Sequence, residues 1–224
     1  MKRWLNVLWM RYKPFMGGVF FCSVFLLCFD VFIGNFAMSQ DAPQPEIIID
    51  SRMSFAEAIA GTKAPDSLVR ELCLLNVHYY SFDGKLHQGQ LVVHQSVRQE
   101  VEEIFALIRQ ERFLVAKAIP IVRYDWSDNL SMVDNNTSSF NYRRVAGTQR
   151  LSRHASGHAV DINPWQNPVI YRNGQRSPPG VVYQPGTEGT LSADSAVVRA
   201  FENRGWRWGG LFKTMKDLHH FQKP

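Results

Sequence analysis

Two short stretches of the chain hold side chains that could do chemistry together. In Ser152-Arg153-His154-Ala155-Ser156-Gly157-His158-Ala159-Val160-Asp161-Ile162-Asn163-Pro164, a histidine and an aspartate stand seven positions apart. A glycine lies between them and an apolar run enters the aspartate. This pattern predicts a loop carrying His154, a turn at Gly157 and a short buried strand, Ala159 to Ile162, delivering Asp161. Imidazole nitrogen and carboxylate oxygen are ligands that zinc accepts, and a catalytic zinc usually keeps three protein ligands and one open position. The third ligand has to come from elsewhere, and Asp217-Leu218-His219-His220-Phe221 offers it. On a strand His219 and His220 face opposite ways, so only one of them can meet the same ion. Together the two segments predict a hydrolytic zinc site. His158 stands four residues after His154, but Gly157 and the β-branched Val160 argue against a helix that would pair them. It is expected beside the site or on the surface. His78, His87 and His94 have no partner spacing and are expected as ordinary strand or surface residues.

The remaining chain must supply a frame for these groups. Ser54 with Glu57 three residues on reads as a capping box for a short helix ending near Gly61. Asp66 predicts the cap of another short turn, Ser67 to Leu72. Leu74 to Phe82 and Lys85 to His94 flank Asp83-Gly84, a hairpin signal. Ser96 to Arg112 is the main amphipathic helix, with Val97, Val101, Ile104, Phe105 and Ile108 on its apolar face. Ala118 to Tyr124 is the next expected strand. The order strand, strand, helix, strand predicts an α+β domain with a small antiparallel sheet and flanking helices. Asn173 to Gly189 is a long connection rich in proline and glycine, expected to flank the site as a binding loop. Ser192 to Arg204 reads as a helix turning Ala193, Ala196, Val197, Ala200 and Phe201 inward, stopped by Gly205. Trp206 and Trp208 are expected in the core.

The overall balance, 25 basic against 20 acidic residues, suggests a cationic protein, but the excess is local. Residues 1–39 carry Lys2, Arg3, Arg11 and Lys13 against Asp30, which leaves the remainder close to neutral. No basic stripe is visible there, which excludes a nucleic-acid partner. A basic start, an apolar run from Phe15 to Met38 and small residues near Ala37 and Ser39 predict a secretory signal, or else an uncleaved membrane anchor through residues 15–38. Either one exports the domain to a periplasmic or extracellular place, with the anchored form held at the inner membrane. The organisation read from this is 1–39 signal or anchor, 40–66 linker and short helix, and 67–224 the catalytic domain, expected as a monomer. Cys73 is the one cysteine outside the N-terminal run, so no disulfide forms within that domain; its leucine neighbours predict a buried thiol.

The motif Ser-x-His-x-x-Gly-x-Ala-x-Asp, followed by Trp-x-Trp-Gly-Gly and Asp-x-x-His-Phe, resembles the zinc D-alanyl-D-alanine carboxypeptidase and L-alanyl-D-glutamate endopeptidase family, the VanY-like peptidoglycan peptidases. The matching residues are Ser152, His154, Gly157, Ala159 and Asp161, then Trp206, Trp208, Gly209, Gly210, Asp217, His220 and Phe221. The resemblance implies the Hedgehog/D,D-peptidase-like zinc peptidase fold and a peptidoglycan peptide substrate. It implies Zn2+ on His154, Asp161 and His220, choosing His220 over His219. Asp217 takes the place of the family's acidic general base, although many relatives have glutamate there. A Ser-x-Phe-x-x-Arg segment in the family brings an arginine to the cleft mouth. Arg143 holds that position, and Arg143 with Ser152 would hold the substrate carbonyl or backbone. The contrasting possibility is a binding module of the same fold that keeps zinc without turnover; an acid three residues before the ligand argues against it.

Overall fold

The structure, a computed structural model, describes residues 46–224. The expectations for residues 1–39 therefore lie outside the described residues. Among the described residues no helix is long and apolar enough to cross a membrane. The described residues, 46–224, form one compact unit.

β1 (Ile48–Ile49) runs parallel to a later strand and leads into α1 (Phe55–Ala58). The capping box is present: Ser54 Oγ accepts from the Glu57 N–H, and the Glu57 carboxylate accepts from the Ser54 N–H at 2.7 Å. The helix ends after one turn, and Gly61, at φ +72°, turns the chain away. α2 (Asp66–Val69) has Pro65 at its N-cap position without a side-chain hydrogen bond, so Asp66 is its first residue and not its cap. β2 (Leu72–Tyr80) and β3 (Leu86–His94) pair antiparallel from Leu72 opposite His94 to Tyr80 opposite Leu86. Gly84 closes their turn at φ +77°, and Asp83 Oδ1 accepts from the Lys85 N–H at 2.9 Å. Leu75, Val77 and Tyr79 alternate onto the core side of β2.

α3 (Arg98–Gln110) follows a 3-10 turn, Gln95–Val97, and buries Val101, Ile104, Phe105 and Ile108. The strand expected from Ala118 to Tyr124 does not form. Ala118 makes a single bridge to Thr137, and Ile121–Tyr124 winds into a 3-10 turn. Pro120 stands between the two and has no N–H to give to a ladder. α4 (Asp128–Val133) is capped by Ser127.

The second half is built from short pieces. These are β4 (Ala159–Asp161), β5 (Val169–Ile170), β6 (Arg176–Ser177), α5 (Ala196–Glu202), β7 (Arg207–Trp208), β8 (Lys216–Asp217) and β9 (His220–Gln222). α5 is shorter than expected because the Ser195 hydroxyl caps it, accepting from the Val198 N–H. Val198, overlooked in the helical pattern, is buried with Val197, Ala200 and Phe201.

The architecture is α+β, with three small sheets in place of one: β1-β3-β2, β4-β9-β7 and β6-β5-β8. All pairings among them are antiparallel except β1 on β3. The main core lies between the β2–β3 hairpin, α3, α5 and the β4–β9 pair. Phe201 of α5 stacks on Phe221 of β9 with centroids 3.9 Å apart, a contact contributing about 0.5–1.5 kcal/mol beyond the area it buries. Trp206 and Trp208 belong to this core, their indole N–H groups donating to Glu100 Oε2 at 2.6 Å and to the Leu218 carbonyl at 2.8 Å. Cys73 is a free, half-buried thiol packed against the core. The stretch expected as linker and short helix enters the fold early: Asp50 accepts from the Tyr79 hydroxyl at 2.5 Å and sits 3.0 Å from His87 Nδ1.

Candidate active site

His154 rides on a 3-10 turn, Arg153–Ser156, whose cap is Ser152: the Ser152 hydroxyl accepts from the His154 N–H at 3.3 Å. Gly157 ends the turn at φ +71°. A Cβ there would lie 2.6 Å from the backbone nitrogen of His94, which donates to the Gly157 carbonyl at 3.0 Å. Glycine is therefore required both for the left-handed conformation and for the close approach of β3. The chain then enters β4, and Asp161 takes the position opposite His220 in β9. Ser138 bridges Asp161 on its other side.

Three donor atoms converge. His154 Nε2 is 3.1 Å from Asp161 Oδ2 and 3.1 Å from His220 Nδ1, and His220 Nδ1 is 2.8 Å from Asp161 Oδ1. All three residues are buried. The outer ring nitrogens are committed elsewhere: His154 Nδ1 donates to the Ser139 carbonyl at 2.5 Å, and His220 Nε2 to Gln222 Oε1 at 3.1 Å. Such bonds fix the tautomer and leave the facing nitrogens free to ligate. The donor set, two imidazole nitrogens and a carboxylate with their lone pairs turned to one point, fits a metal ion.

The electrostatics agree with a site built for positive charge. Burial alone would raise the Asp161 carboxyl, but the imidazoles of His154 and His219 outweigh it and hold it well below the usual carboxylate range. For His220, burial would lower the imidazole, yet the hydrogen bond and charge of Asp161, with Asp217 adding, push it up to about 9.

Asp217 lies on β8, paired opposite Val169, and lines the same cleft. Gly209 packs directly against its backbone and Cβ, leaving no room for a side chain there. His219 departs from the strand expectation. Leu218 and His219 form a turn between β8 and β9, so alternation does not apply, and His219 points into the same cleft as His220. Its Nε2 is 3.1 Å from Asp217 Oδ1 and 3.9 Å from Asp161 Oδ2, and its Nδ1 is 2.7 Å from the Asn167 carbonyl.

The cleft holds about 840 Å³ and opens past Tyr142, Tyr171, Phe212 and Met215. Arg143 lines it, with its guanidinium 2.9 Å from Asp128 Oδ2 and its Nε buried without a hydrogen bond. Arg144 turns away, bonded to the Gln149 carbonyl. Arg150, Arg153 and Arg207 also line the cleft, and none of them forms an ion pair among the described residues. The proline- and glycine-rich loop borders the cleft only through Ser177; Pro178 to Glu188 line a separate cavity of about 900 Å³ beside Trp165.

The other histidines lie apart. His158 stacks on His94 at 4.3 Å, and burial, followed by the charge of His94, lowers its imidazole below the ordinary range. His87, expected as an ordinary strand residue, is buried between Asp50 at 3.0 Å and Asp83 at 3.2 Å. Ser139, Gln222, Asp128 and Asn167 went unmarked in the sequence. Gln222 was findable, because it stands two residues after His220 on one strand face; the other three reach the site only through tertiary folding.

Residues 146–223 match a family model described as D-alanyl-D-alanine carboxypeptidase. No curated protein and no solved structure gives a match. The matched stretch contains His154, Asp161, Asp217 and His220, while Arg143 precedes it. It is about a third of the chain, and over that stretch the chain is similar to this family of peptidases.

Proposed function

We propose that the chain is an exported zinc peptidase that hydrolyses amide bonds in peptidoglycan stem peptides, either as a D,D-carboxypeptidase or as an L-alanyl-D-glutamate endopeptidase. The observation that carries this reading is the buried convergence of His154 Nε2, Asp161 and His220 Nδ1 beside Asp217 in an open cleft. His154, Asp161 and His220 would hold the zinc ion, which would supply Lewis acidity and activate water at neutral pH. Asp217 takes the proton of the attacking water and returns it to the leaving amine. Arg143 faces the substrate carbonyl or terminal carboxylate, its planar donors suited to a bidentate grip, with Asp128 holding the guanidinium in place. Ser152 acts chiefly through the turn that it caps, which sets the position of His154.

The rim favours an anionic peptide: Arg150, Arg153 and Arg207 present charges that no carboxylate among the described residues neutralises. Residues 1–39 act in this reading as signal or anchor, and residues 46–224, with β1 and α1 built into the fold, as the Hedgehog/D,D-peptidase-like catalytic domain, working as a monomer in the periplasm or outside the cell. The test is digestion of purified muropeptides by the zinc-loaded chain, with products read by mass. A loss of alanine marks the carboxypeptidase, and release of the stem at D-glutamate marks the endopeptidase. Stoichiometric zinc with every muropeptide left intact would overturn the enzyme in favour of a binding module.

A further inference from the structure

We propose that Arg207 sets substrate specificity by gripping a carboxylate on the substrate residue beside the scissile amide, a proposal that rests on the peptidase reading of the site. Arg207 lies on β7, the neighbour of β9, and stands opposite Gln222 in the ladder. Strand side chains alternate, so Arg207 shares the cleft face with Gln222 and His220, while Trp208, opposite Phe221, shares the core face. One strand across and two residues along β9 put the Arg207 Cα about 8 Å from that of His220. Trp208 is buried and donates its indole N–H to the Leu218 carbonyl at 2.8 Å, which pins β7 and the base of the arginine with it.

Arg207 is exposed, lines the cleft and forms no ion pair among the described residues. The acids of the cleft lining are placed elsewhere. Asp128 faces Arg143, Asp161 sits between His154 and His220, and Asp217 is 3.1 Å from His219. Arg143 thus has its charge met by Asp128, whereas Arg207 keeps both charge and planar fork for a ligand. A carboxylate is the group that such a fork takes bidentately. In the L-alanyl-D-glutamate unit, glutamate continues the chain through one carboxyl and keeps the other free, on the residue that bears the scissile amide. An extended peptide advances about 3.4 Å per residue, so this carboxylate comes within reach of β7 when the amide lies over the metal donors. An amidated glutamate keeps the shape, loses the charge and leaves the arginine unpaired.

The experiment uses the full zinc-loaded chain and two stem peptides that differ only at glutamate, one with the free carboxylate and one with the carboxamide. Wild type should cleave the acid with a kcat/KM about 5- to 20-fold above that for the amide. Arg207→Gln should bring this ratio within about twofold by lowering the value for the acid, with zinc content unchanged. Arg207→Lys keeps the charge without the fork and should hold the ratio at about threefold. A wild-type ratio near one, whichever bond is cut, would overturn the proposal. So would an equal loss on both peptides in Arg207→Gln, or the full wild-type ratio retained by Arg207→Lys. A wild type that cleaves neither peptide overturns the peptidase reading instead, and calorimetric binding of the two peptides then decides the role of Arg207. A preference for the acid that Arg207→Gln abolishes supports the grip, and equal binding of acid and amide overturns it.

Discussion

Asp161 and His220 are cross-strand partners in β4 and β9, and their side chains meet on the cleft face with Oδ1 and Nδ1 2.8 Å apart. The neighbouring pair, Val160 opposite Phe221, faces the core and is fully buried. Strand side chains alternate, so one register puts two metal donors in the cleft and two apolar residues beneath them. A slip of one residue would exchange the pairs, turning the donors toward the core and Phe221 toward the cleft. The stack of Phe221 on Phe201 therefore protects the ligand geometry.

Removing one donor should remove the metal. His154→Ala, Asp161→Ala and His220→Ala are each expected to take bound zinc from about one per chain to a small residue, because two donors hold zinc far more weakly than three. Metal analysis after dialysis measures this. Retention of full zinc by Asp161→Ala would place the ion elsewhere.

Metal loading should be coupled to protons. The His220 imidazole, at about 9, lies above its ordinary 6.5 in the metal-free protein. Its pairing with Asp161 therefore stabilises the metal-free fold fully below 6.5, and that stabilisation is lost as pH rises through about 9. Zinc needs the neutral ring, so at pH 7 uptake should expel about one proton, and apparent affinity should climb about tenfold per pH unit until it levels near 9. Calorimetry in buffers of different ionisation enthalpy counts the protons.

Asp217 should matter for turnover and little for metal. Asp217→Asn is expected to lower kcat by about 100- to 10,000-fold while zinc content stays near that of wild type. Steady-state kinetics beside metal analysis separates the two. If the asparagine variant turned over normally, another group would be the base.

Arg143 should act on substrates that carry a carboxylate. Arg143→Lys keeps the charge and loses the planar fork, so KM for a free-acid peptide should rise about tenfold. The same peptide amidated at its C-terminus should show little difference between the two proteins. Equal KM changes on both substrates would assign Arg143 to holding the loop against Asp128.

Gly157→Ala should damage the frame that carries His154. The left-handed conformation alone costs a residue with a Cβ about 1–2 kcal/mol. The contact with the His94 nitrogen adds to that cost, because backbone on both sides must shift. Denaturant unfolding should show the loss, and zinc affinity should fall with it, because the glycine ends the turn that carries His154.

Local chemistry in the chain determined a good deal by itself. The hairpin around Asp83-Gly84, the amphipathic α3, the Ser54 capping box and the turn–glycine–strand shape from His154 to Asp161 all rest on residues close in sequence. His154, Asp161 and the C-terminal histidine pair were marked as donors for the same reason: residue type and short spacing carry that information. Which strand lies beside which was settled only by the tertiary structure. Three small sheets replaced the expected one, and Pro120 broke a strand whose local pattern looked extended. His219 entered the cleft because the chain turns at Leu218 and His219, a geometry set by where β8 and β9 dock. The partners Ser139, Asn167 and Asp128 likewise came from distant segments. Hydrogen bonds across such separations depend on packing of the whole core, which no window of neighbouring residues encodes.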